Sequence, residues 1–109
     1  MRPSIFKYTL EKTTDSQYVE VKGFQKITHI GMDPNGEICL WAMVDIDDEV
    51  ESSLGLMLCM TGHDLPGGMY AAKHINTFID EGWCVLHAYL FCINGRDLTC
   101  PEHKDRIIR

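Results

Sequence analysis

The stretch Glu37-Ile-Cys-Leu-Trp-Ala-Met-Val-Asp45 decides the fold class, because it alternates without interruption. Its even-numbered residues point to one side and its odd-numbered residues to the other, which is the period of two of a β-strand. Both sets are mostly apolar, so we expect a central strand. Large aromatic side chains supply much of the buried area of a small domain, and we therefore expect Trp41 to anchor the core.

The segment Asp33-Pro-Asn-Gly36 directly precedes this strand. Proline presets φ for a turn, and Asn-Gly tolerates positive φ, which is the local chemistry of a hairpin. The residues before it, Gln25 to Met32, are rich in β-branched side chains and predict the partner strand. Together the two strands form the clearest hairpin in the sequence.

Short apolar or alternating segments recur along the rest of the chain, with turn residues between them. The density of such segments predicts an all-β, mostly antiparallel fold: a single-domain β-sandwich or small barrel of about seven strands. A sheet with a tail helix packed on one face (an α+β fold) is the alternative. The further predicted strands are Ile5 to Leu10, Gln17 to Val21, Leu54 to Met60, His74 to Ile79 and Trp83 to Cys92.

The chain has 109 residues, of which 45% are hydrophobic, enough for one domain with a core and too few for two. We expect a single domain over residues 1–109, with its core in residues 3–93 and a polar tail in residues 94–109. A short helix could begin at Pro101, since proline is favoured at the first helical position. The sequence has no apolar run of membrane-helix length, and its start lacks the apolar region of a signal peptide. These features predict a soluble, cytoplasmic protein.

The five cysteines are odd in number, and four lie in apolar runs, where free cysteine behaves as a small buried hydrophobe. This pattern favours reduced thiols over a disulfide-stapled secreted fold. The net charge of −6 disfavours direct nucleic-acid binding, which draws on clustered Lys and Arg. An acidic protein is instead suited to a basic partner.

Five carboxylates crowd into a stretch of seven residues after the central strand. Charges at this density repel one another unless they are solvated, so a surface loop is expected. The stretch lacks the loop glycine and the spaced terminal Glu of a calcium-binding EF-hand. A surface for a basic protein is the functional hypothesis, because carboxylates can occupy a site that normally grips phosphates. The predicted partner-binding residues are Asp45, Asp47, Asp48, Glu49 and Glu51.

A glycine-rich segment follows the strand Leu54 to Met60, running from Thr61 through Gly68. It places an imidazole beside a carboxylate, and its free amides could form a concave anion site. An ordinary turn with a solvated histidine is the alternative. The predicted ligand-binding residues are Thr61, Gly62, His63 and Asp64.

Two Cys-x-x-His units, Cys84 to His87 and Cys100 to His103, have a spacing with some likeness to structural zinc sites. On one strand, however, an offset of three sends two side chains to opposite faces, so they cannot share a metal without a bulge. We therefore predict no metal site and no cofactor. There is also no local signature for a Cys–His nucleophile, no phosphate-binding glycine loop and no metalloprotease motif, which argues against an enzyme and leaves no residue predicted as catalytic.

Four motifs, in order, carry a resemblance to a known family: Leu40-Trp-Ala-Met-Val-Asp45, Thr61-Gly-His63, Asn76-Thr-Phe78 and Val85-Leu-His87. With this order and spacing, residues 5–91 resemble small bacteriophage and prophage proteins to which no activity is assigned. The resemblance implies a phage or mobile element, and hence the cytoplasm of an infected or lysogenic bacterium. The sequence departs from that pattern in the acidic stretch, after His63 and from Asn94 onward.

We expect a non-enzymatic phage-encoded binding protein that inhibits a host enzyme or defence complex through surface contacts. The alternative is a protein that sequesters a small ligand or nucleotide with the Thr61 to Gly68 loop. No membrane or direct nucleic-acid contact is expected. A homodimer is an open question, in which an edge strand such as Gln17 to Val21 or Leu54 to Met60 would pair across a two-fold axis.

Overall fold

A computed structural model describes residues 1–82 and 84–99 and shows two antiparallel sheets packed face to face. The predicted all-β sandwich is confirmed. The first sheet has the order β1-β4-β3; the second has the order β2-β5-β7-β6, with β8 paired to β7. The strands are β1 (Pro3–Thr9), β2 (Gln17–Lys22), β3 (Phe24–Met32), β4 (Ile38–Asp45), β5 (Glu51–Met60), β6 (Lys73–Ile79), β7 (Val85–Ile93) and β8 (Arg96–Asp97).

The central hairpin forms as predicted: β3 and β4 pair from Met32 and Ile38 at the turn to Phe24 and Val44 at the far end. The inward-facing residues of β4 are almost fully buried, and they pack against those of the second sheet. The core they form contains Val21, Ile30, Ile38, Leu40, Ala42, Val44, Leu54, Leu56, Leu58, Leu86, Ala88 and Leu90.

The chain passes between the sheets through the β1–β2 link and then twice at one corner. Here β2 continues into β3 through Gly23, and β4 continues into β5 through residues 46–50. Gly23 has φ +69°, and a Cβ at this position would overlap the backbone oxygen of Asp45. The Gly23 N–H donates to Val50 O, and its carbonyl accepts from Asp45 N, both at 2.8 Å. Glycine is therefore required, because the two strands touch backbone to backbone where they bend.

The expectation that Trp41 anchors the core is wrong. Trp41 is half-buried on the outer face of the first sheet, where its ring lies 5.8 Å from the ring of His29. The outer face of this three-stranded sheet has no second layer over it, so Trp41 and Met43 stay partly exposed, although Cys39 at the hairpin end of the same face is buried. The four cysteines in the described part of the chain are free, in line with the predicted reduced thiols.

The start of β5 and its position within the sheet differ from the sequence-based expectation. β5 begins at Glu51, so the last part of the acidic stretch is strand and only residues 46–50 form the connection. β5 also lies between β2 and β7, so Leu54 to Met60 is not an edge that could pair with a second copy, whereas β2 is an edge. The short helix expected at Pro101 lies outside the described residues. Within the described residues, none of the helices has the length and apolar character needed to cross a membrane.

The two sides of the sandwich differ. On the first, which we call the closed side, the edges of β3 and β6 meet through the side chain of Asn76. Its Oδ1 accepts from Ile30 N at 2.9 Å, and its Nδ2 donates to Ile30 O at 2.7 Å. On the second, the open side, β1 and β2 are the terminal strands of their sheets and do not pair with each other. The candidate site lies there.

Candidate functional site

A groove of about 470 Å³ runs between β1 and β2 on the open side. Its apolar lining comes from Phe6 and Tyr8 of β1 and from Val44 and Ile46 beside the corner. Because β1 alternates, Phe6 points inward, but no strand of the second sheet covers it and it stays 46% exposed. The groove is therefore a part of the sandwich interior that reaches the surface.

Large apolar side chains are unusually exposed around this groove. Of the nine that the structure shows as exposed among the described residues, five lie on β1, its N-terminal flank or the corner. The N-terminal flank is held to the corner by a hydrogen bond from Ile46 N to Arg2 O at 3.0 Å. Phe6 and Ile46 line the groove, whereas Ile5 alternates onto the opposite face of β1. Exposed apolar area beside a polar rim is typical of a surface that another molecule covers. These five residues are Met1, Ile5, Phe6, Ile46 and Val50.

The rim of the groove is acidic. Glu20, Asp45 and Glu51 line it, together with a single lysine, Lys22. The Lys22 ammonium is already paired with Glu49 at 3.0 Å, and this contact raises the lysine pKa. None of the three rim carboxylates forms an ion pair within the described part of the chain. The rim therefore presents uncompensated negative charge beside an apolar lining.

The predicted partner-binding residues divide into two groups. Asp45 and Glu51 line the groove, whereas the other three stabilise the corner. Asp47 pairs with Arg2 at 2.9 Å, Asp48 accepts from Val50 N at 2.9 Å, and Glu49 pairs with Lys22.

Asp45 also supports the corner. Its Oδ1 accepts from the backbone N–H groups of Arg2 and Asp47, both at 3.1 Å. The Arg2 contact, followed by that of Asp47, lowers the Asp45 pKa, so its carboxylate stays charged at neutral pH. Much of the acidic stretch is thus a structural corner, and its functional part is smaller than the sequence suggested.

The predicted ligand-binding residues lie in and beside the turn that follows β5. The hydroxyl of Thr61 is engaged by His87, and Gly62 supplies the positive φ of the turn that His63 N closes onto Met60 O. His63 and Asp64 are exposed and line a small pocket of about 180 Å³ together with Pro66 and apolar residues of β5. That pocket holds a carboxylate and no lysine or arginine, which disfavours an anionic ligand.

The structure assembles a polar network that the sequence did not reveal. On the outer face of the second sheet, His87 Nε2 lies 2.7 Å from the Thr61 hydroxyl, and His87 Nδ1 lies 2.9 Å from the Thr77 hydroxyl. The Thr77 hydroxyl in turn lies 3.1 Å from His74 Nε2. Each hydroxyl can donate one hydrogen and accept others, so the network is satisfied in either tautomer of His87. It links β6 and β7 to the turn after β5, and within the described residues no carboxylate or thiol joins it to make a metal site.

The described residues give no support to a zinc site at the two Cys-x-x-His units. Cys84 precedes β7 and His87 lies on its outer face, engaged by the two threonines above. Cys100 and His103 lie outside the described residues. Within residues 1–82 and 84–99, no three side chains of Cys, His, Asp or Glu come close enough to hold a metal ion.

Sequence reasoning missed Phe6, Tyr8 and Glu20 as site residues. The alternation of the first strand did place Phe6 and Tyr8 on one face, but a one-sided apolar strand normally means a covered face. The signal that could have marked them is the isolation of this strand: a polar link of six residues, Glu11 to Ser16, separates it from β2. Only the topology shows that β1 ends its sheet with nothing beyond it.

The fold defines the chain as a small antiparallel β-sandwich with a groove at its open side. The sequence model of a domain of unknown function, DUF7352, matches residues 1–91, and the chain belongs to that family. Comparison with curated proteins found no match, and comparison with solved structures found none either. The matched region spans both sheets apart from the end of β7 and the short β8.

Proposed function

We propose that this protein is a binding protein without catalytic activity of its own, and that its open-side groove takes a basic, partly apolar segment of another protein. The observation that carries the proposal is the exposure of Phe6 and Ile46 in a groove whose three rim carboxylates form no ion pair within residues 1–82 and 84–99. Apolar contacts would supply the affinity, and the acidic rim would select and orient a Lys- or Arg-bearing partner.

The unpaired edges of β1 and β2 support an extended binding mode. Each edge strand carries backbone N–H and C=O groups that no neighbouring strand satisfies. An extended partner segment could add to one edge and place alternate side chains in the groove, where Phe6 and Tyr8 lie. The groove also runs along the strands, which suits a strand better than a compact ligand.

The more specific proposal is that the protein is phage-encoded and that its partner is a host enzyme or defence complex, which it inhibits by covering a basic surface. The motif resemblance and the net charge of −6 support this proposal. A basic surface that normally contacts nucleic acid would be complementary to the acidic rim.

A small-ligand or nucleotide-binding function of the Thr61 to Gly68 loop receives less support. Its pocket is small, carries Asp64, and is lined by no lysine or arginine that could meet a phosphate. The groove at the open side is larger and joins charge to apolar area, which is why we place the binding function there.

The test is capture of partner proteins from bacterial lysates with three tagged proteins. The first is the natural chain, the second the double variant Glu20→Lys/Glu51→Lys, and the third the control Asp15→Lys/Asp64→Lys. The control reverses the same number of exposed carboxylates away from the groove. We expect a stoichiometric basic protein with the natural chain and the control, and about tenfold weaker binding with the groove variant, because two like charges then oppose the partner.

Raising the salt concentration should weaken capture by the natural chain, since exposed charge pairs are screened. Equal capture by the groove variant and the control would remove the groove from the proposal. Absence of any stoichiometric partner across several hosts would overturn the binding function itself.

A further inference from the structure

Two hairpin turns in this protein are built in the same way. In the β3–β4 turn, Asp33 Oδ1 accepts hydrogen bonds from the N–H groups two and four residues later, both at 2.9 Å. In the β6–β7 turn, Asp80 Oδ1 accepts from the N–H groups two and four residues later, also at 2.9 Å. Both aspartates are buried. One carboxylate oxygen is therefore committed to the turn in each case.

The second carboxylate oxygens have different surroundings. Asp33 Oδ2 accepts a hydrogen bond from Lys7 Nζ at 3.0 Å and lies 3.7 Å from the Cys39 thiol. Asp80 Oδ2 has one ion pair, to Lys12 Nζ at 3.5 Å, and the Lys12 side chain is 64% exposed on the β1–β2 link. The Asp80 side chain itself is 3% exposed. Asp80 thus keeps a buried oxygen whose partner is a loosely held surface lysine.

A cavity of about 220 Å³ is lined by Asp80 and not by Asp33, whereas a second, more open pocket between the two turns is lined by both aspartates. The walls of the cavity are the core residues Leu58 and Leu86 with Met60, and Lys12 stands at the same cavity. An apolar cavity of about 150 Å³ holds one benzene molecule, so this one has room for such a group together with a short polar head. It combines an apolar chamber with a single buried carboxylate.

We propose that this cavity binds a small organic ammonium compound, with its apolar body against Leu58 and Leu86 and its ammonium group at Asp80 Oδ2. The ligand ammonium would take the place of the Lys12 ammonium, which can turn into solvent because the Lys12 side chain is 64% exposed and the ligand would then neutralise the Asp80 carboxylate. A buried carboxylate demands a positive partner, so an anionic ligand is excluded and a neutral one is disfavoured.

The ionisation of Asp80 is consistent with this role. The hydrogen bond from Cys84 N, followed by that from Gly82 N, lowers the Asp80 pKa, and Lys12 lowers it further. The carboxylate is therefore charged at neutral pH, when a primary amine is also charged. This site lies apart from the open-side groove, and its ligand is independent of any protein partner bound there.

The test is an NMR titration of the purified protein with phenethylamine, read from the methyl signals of Leu58, Met60 and Leu86. Two isosteres serve as ligand controls: 2-phenylethanol, which is neutral, and 3-phenylpropanoate, which is anionic. We expect the amine to shift these signals, the alcohol to bind about tenfold more weakly, and the anion not to bind, because a hydrogen bond to a charged group accounts for about that difference.

Three protein variants test which charged side chains affect amine binding. Asp80→Asn keeps an acceptor oxygen for the turn and removes the charge, so amine binding should fall about tenfold, the loss of one charged pair. Asp33→Asn makes the same change in the matched turn and should leave amine binding unchanged. Lys12→Met removes the competing ammonium and should strengthen amine binding by roughly two- to fivefold.

Equal binding of amine and alcohol would overturn the proposal, and so would unchanged amine binding in Asp80→Asn. Absence of shifts at the cavity methyl groups with the natural chain would overturn it as well. If circular dichroism shows that Asp80→Asn is unfolded, Lys12→Met tests the proposal instead. Stronger amine binding by Lys12→Met supports the proposal, and unchanged or weaker binding contradicts it.

Discussion

The closed and open sides of this sandwich differ in how the backbone groups of their edge strands find hydrogen-bond partners. On the closed side, the edges of β3 and β6 are joined by one asparagine, whose amide takes the place of a strand pair. On the open side, β1 and β2 leave their edges unpaired and expose Phe6 at their groove. Backbone groups at an edge must find partners, and a side chain supplies them on one side only.

The contacts of the closed side stabilise the fold, whereas the open side carries the proposed binding function. The closed side also carries the two aspartate-locked turns, which lie next to each other at the ends of β3 and β6. Its hydrogen bonds are satisfied within the chain, so it has little to offer a partner. The open side keeps exposed apolar area and uncompensated carboxylates, which a partner could cover. Variants on the closed side should therefore change the free energy of unfolding, whereas variants on the open side should mainly change partner capture.

The largest expected effect is at the corner on which both sides depend. Gly23→Ala should lower the free energy of unfolding by about 3 kcal/mol or more, because the added Cβ overlaps a backbone oxygen at positive φ. Gly62→Ala is the matched control: its φ is +89°, but nothing lies near the added Cβ, so about 1 kcal/mol is expected. Urea denaturation measures both. Equal losses would mean that the backbone angle, and not the contact at the corner, sets the cost.

The next effect breaks the closed side. Asn76→Leu leaves the N–H and C=O of Ile30 without partners, and we expect a loss of about 2–4 kcal/mol in the free energy of unfolding. Amide hydrogen exchange at Ile30 should accelerate. Thr77→Val, on the next residue of the same strand, should cost about 1 kcal/mol or less, because its hydroxyl is exposed. A loss no larger in Asn76→Leu than in Thr77→Val would show that the closed side does not depend on this amide.

A smaller effect is expected on the open side. Phe6→Ala should cost only about 1 kcal/mol, since nearly half of the side chain is already exposed, while partner capture should fall markedly. Leu10→Ala removes a smaller side chain from a buried position and should cost about 3 kcal/mol. Thermal unfolding and capture are measured on both variants. If Phe6→Ala proves the more destabilising of the two, the groove belongs to the core and is not a binding surface.

The smallest expected effect is on the pH dependence of stability, through the carboxylate of Asp33. The hydrogen bonds from Glu37 N and Lys7 lower the pKa of Asp33 to about 2, below its value in the unfolded chain. Its carboxylate therefore stabilises the fold above about pH 4, and that contribution is lost as the pH falls toward 2. In Asp33→Asn the melting temperature should be lower by roughly 2–4 °C at pH 7 and should depend less on pH between 4 and 2. Melting curves that keep their separation from the natural chain down to pH 2 would contradict this assignment.

The fold class could be predicted because local patterns decide it. Alternation in Glu37 to Asp45 and the Asp33-Pro-Asn-Gly36 turn depend only on neighbouring residues, and both the strand and its hairpin form as expected. The same reasoning placed Trp41 in the core, since alternation tells which residues share a face but not whether another layer covers that face. It likewise treated Leu54 to Met60 as an edge, although pairing on both sides makes it central.

The candidate site was predicted only in part. The density of carboxylates after β4 pointed to Asp45 and Glu51, but the partners that Arg2 and Lys22 provide to Asp47 and Glu49 come from distant parts of the chain. Asp80 could not be recognised as a cavity residue from the sequence, because the residues that wall the cavity belong to β5, β7 and the β1–β2 link. Such proximity has no local signal.

By itself, the sequence determined the strands, the central hairpin, the acidic balance and the absence of recognised catalytic motifs, because each depends on residues close together or on composition. Only the tertiary structure decided which strand edges meet and which stay open, that Asn76 closes one side, and that Phe6 and Glu20 share a groove. It also placed Asp80, and not Asp33, at the cavity walled by Leu58 and Leu86. The reason is physical: edge pairing, burial and charge compensation depend on contacts between segments distant in sequence, and the local pattern is compatible with many arrangements of those segments.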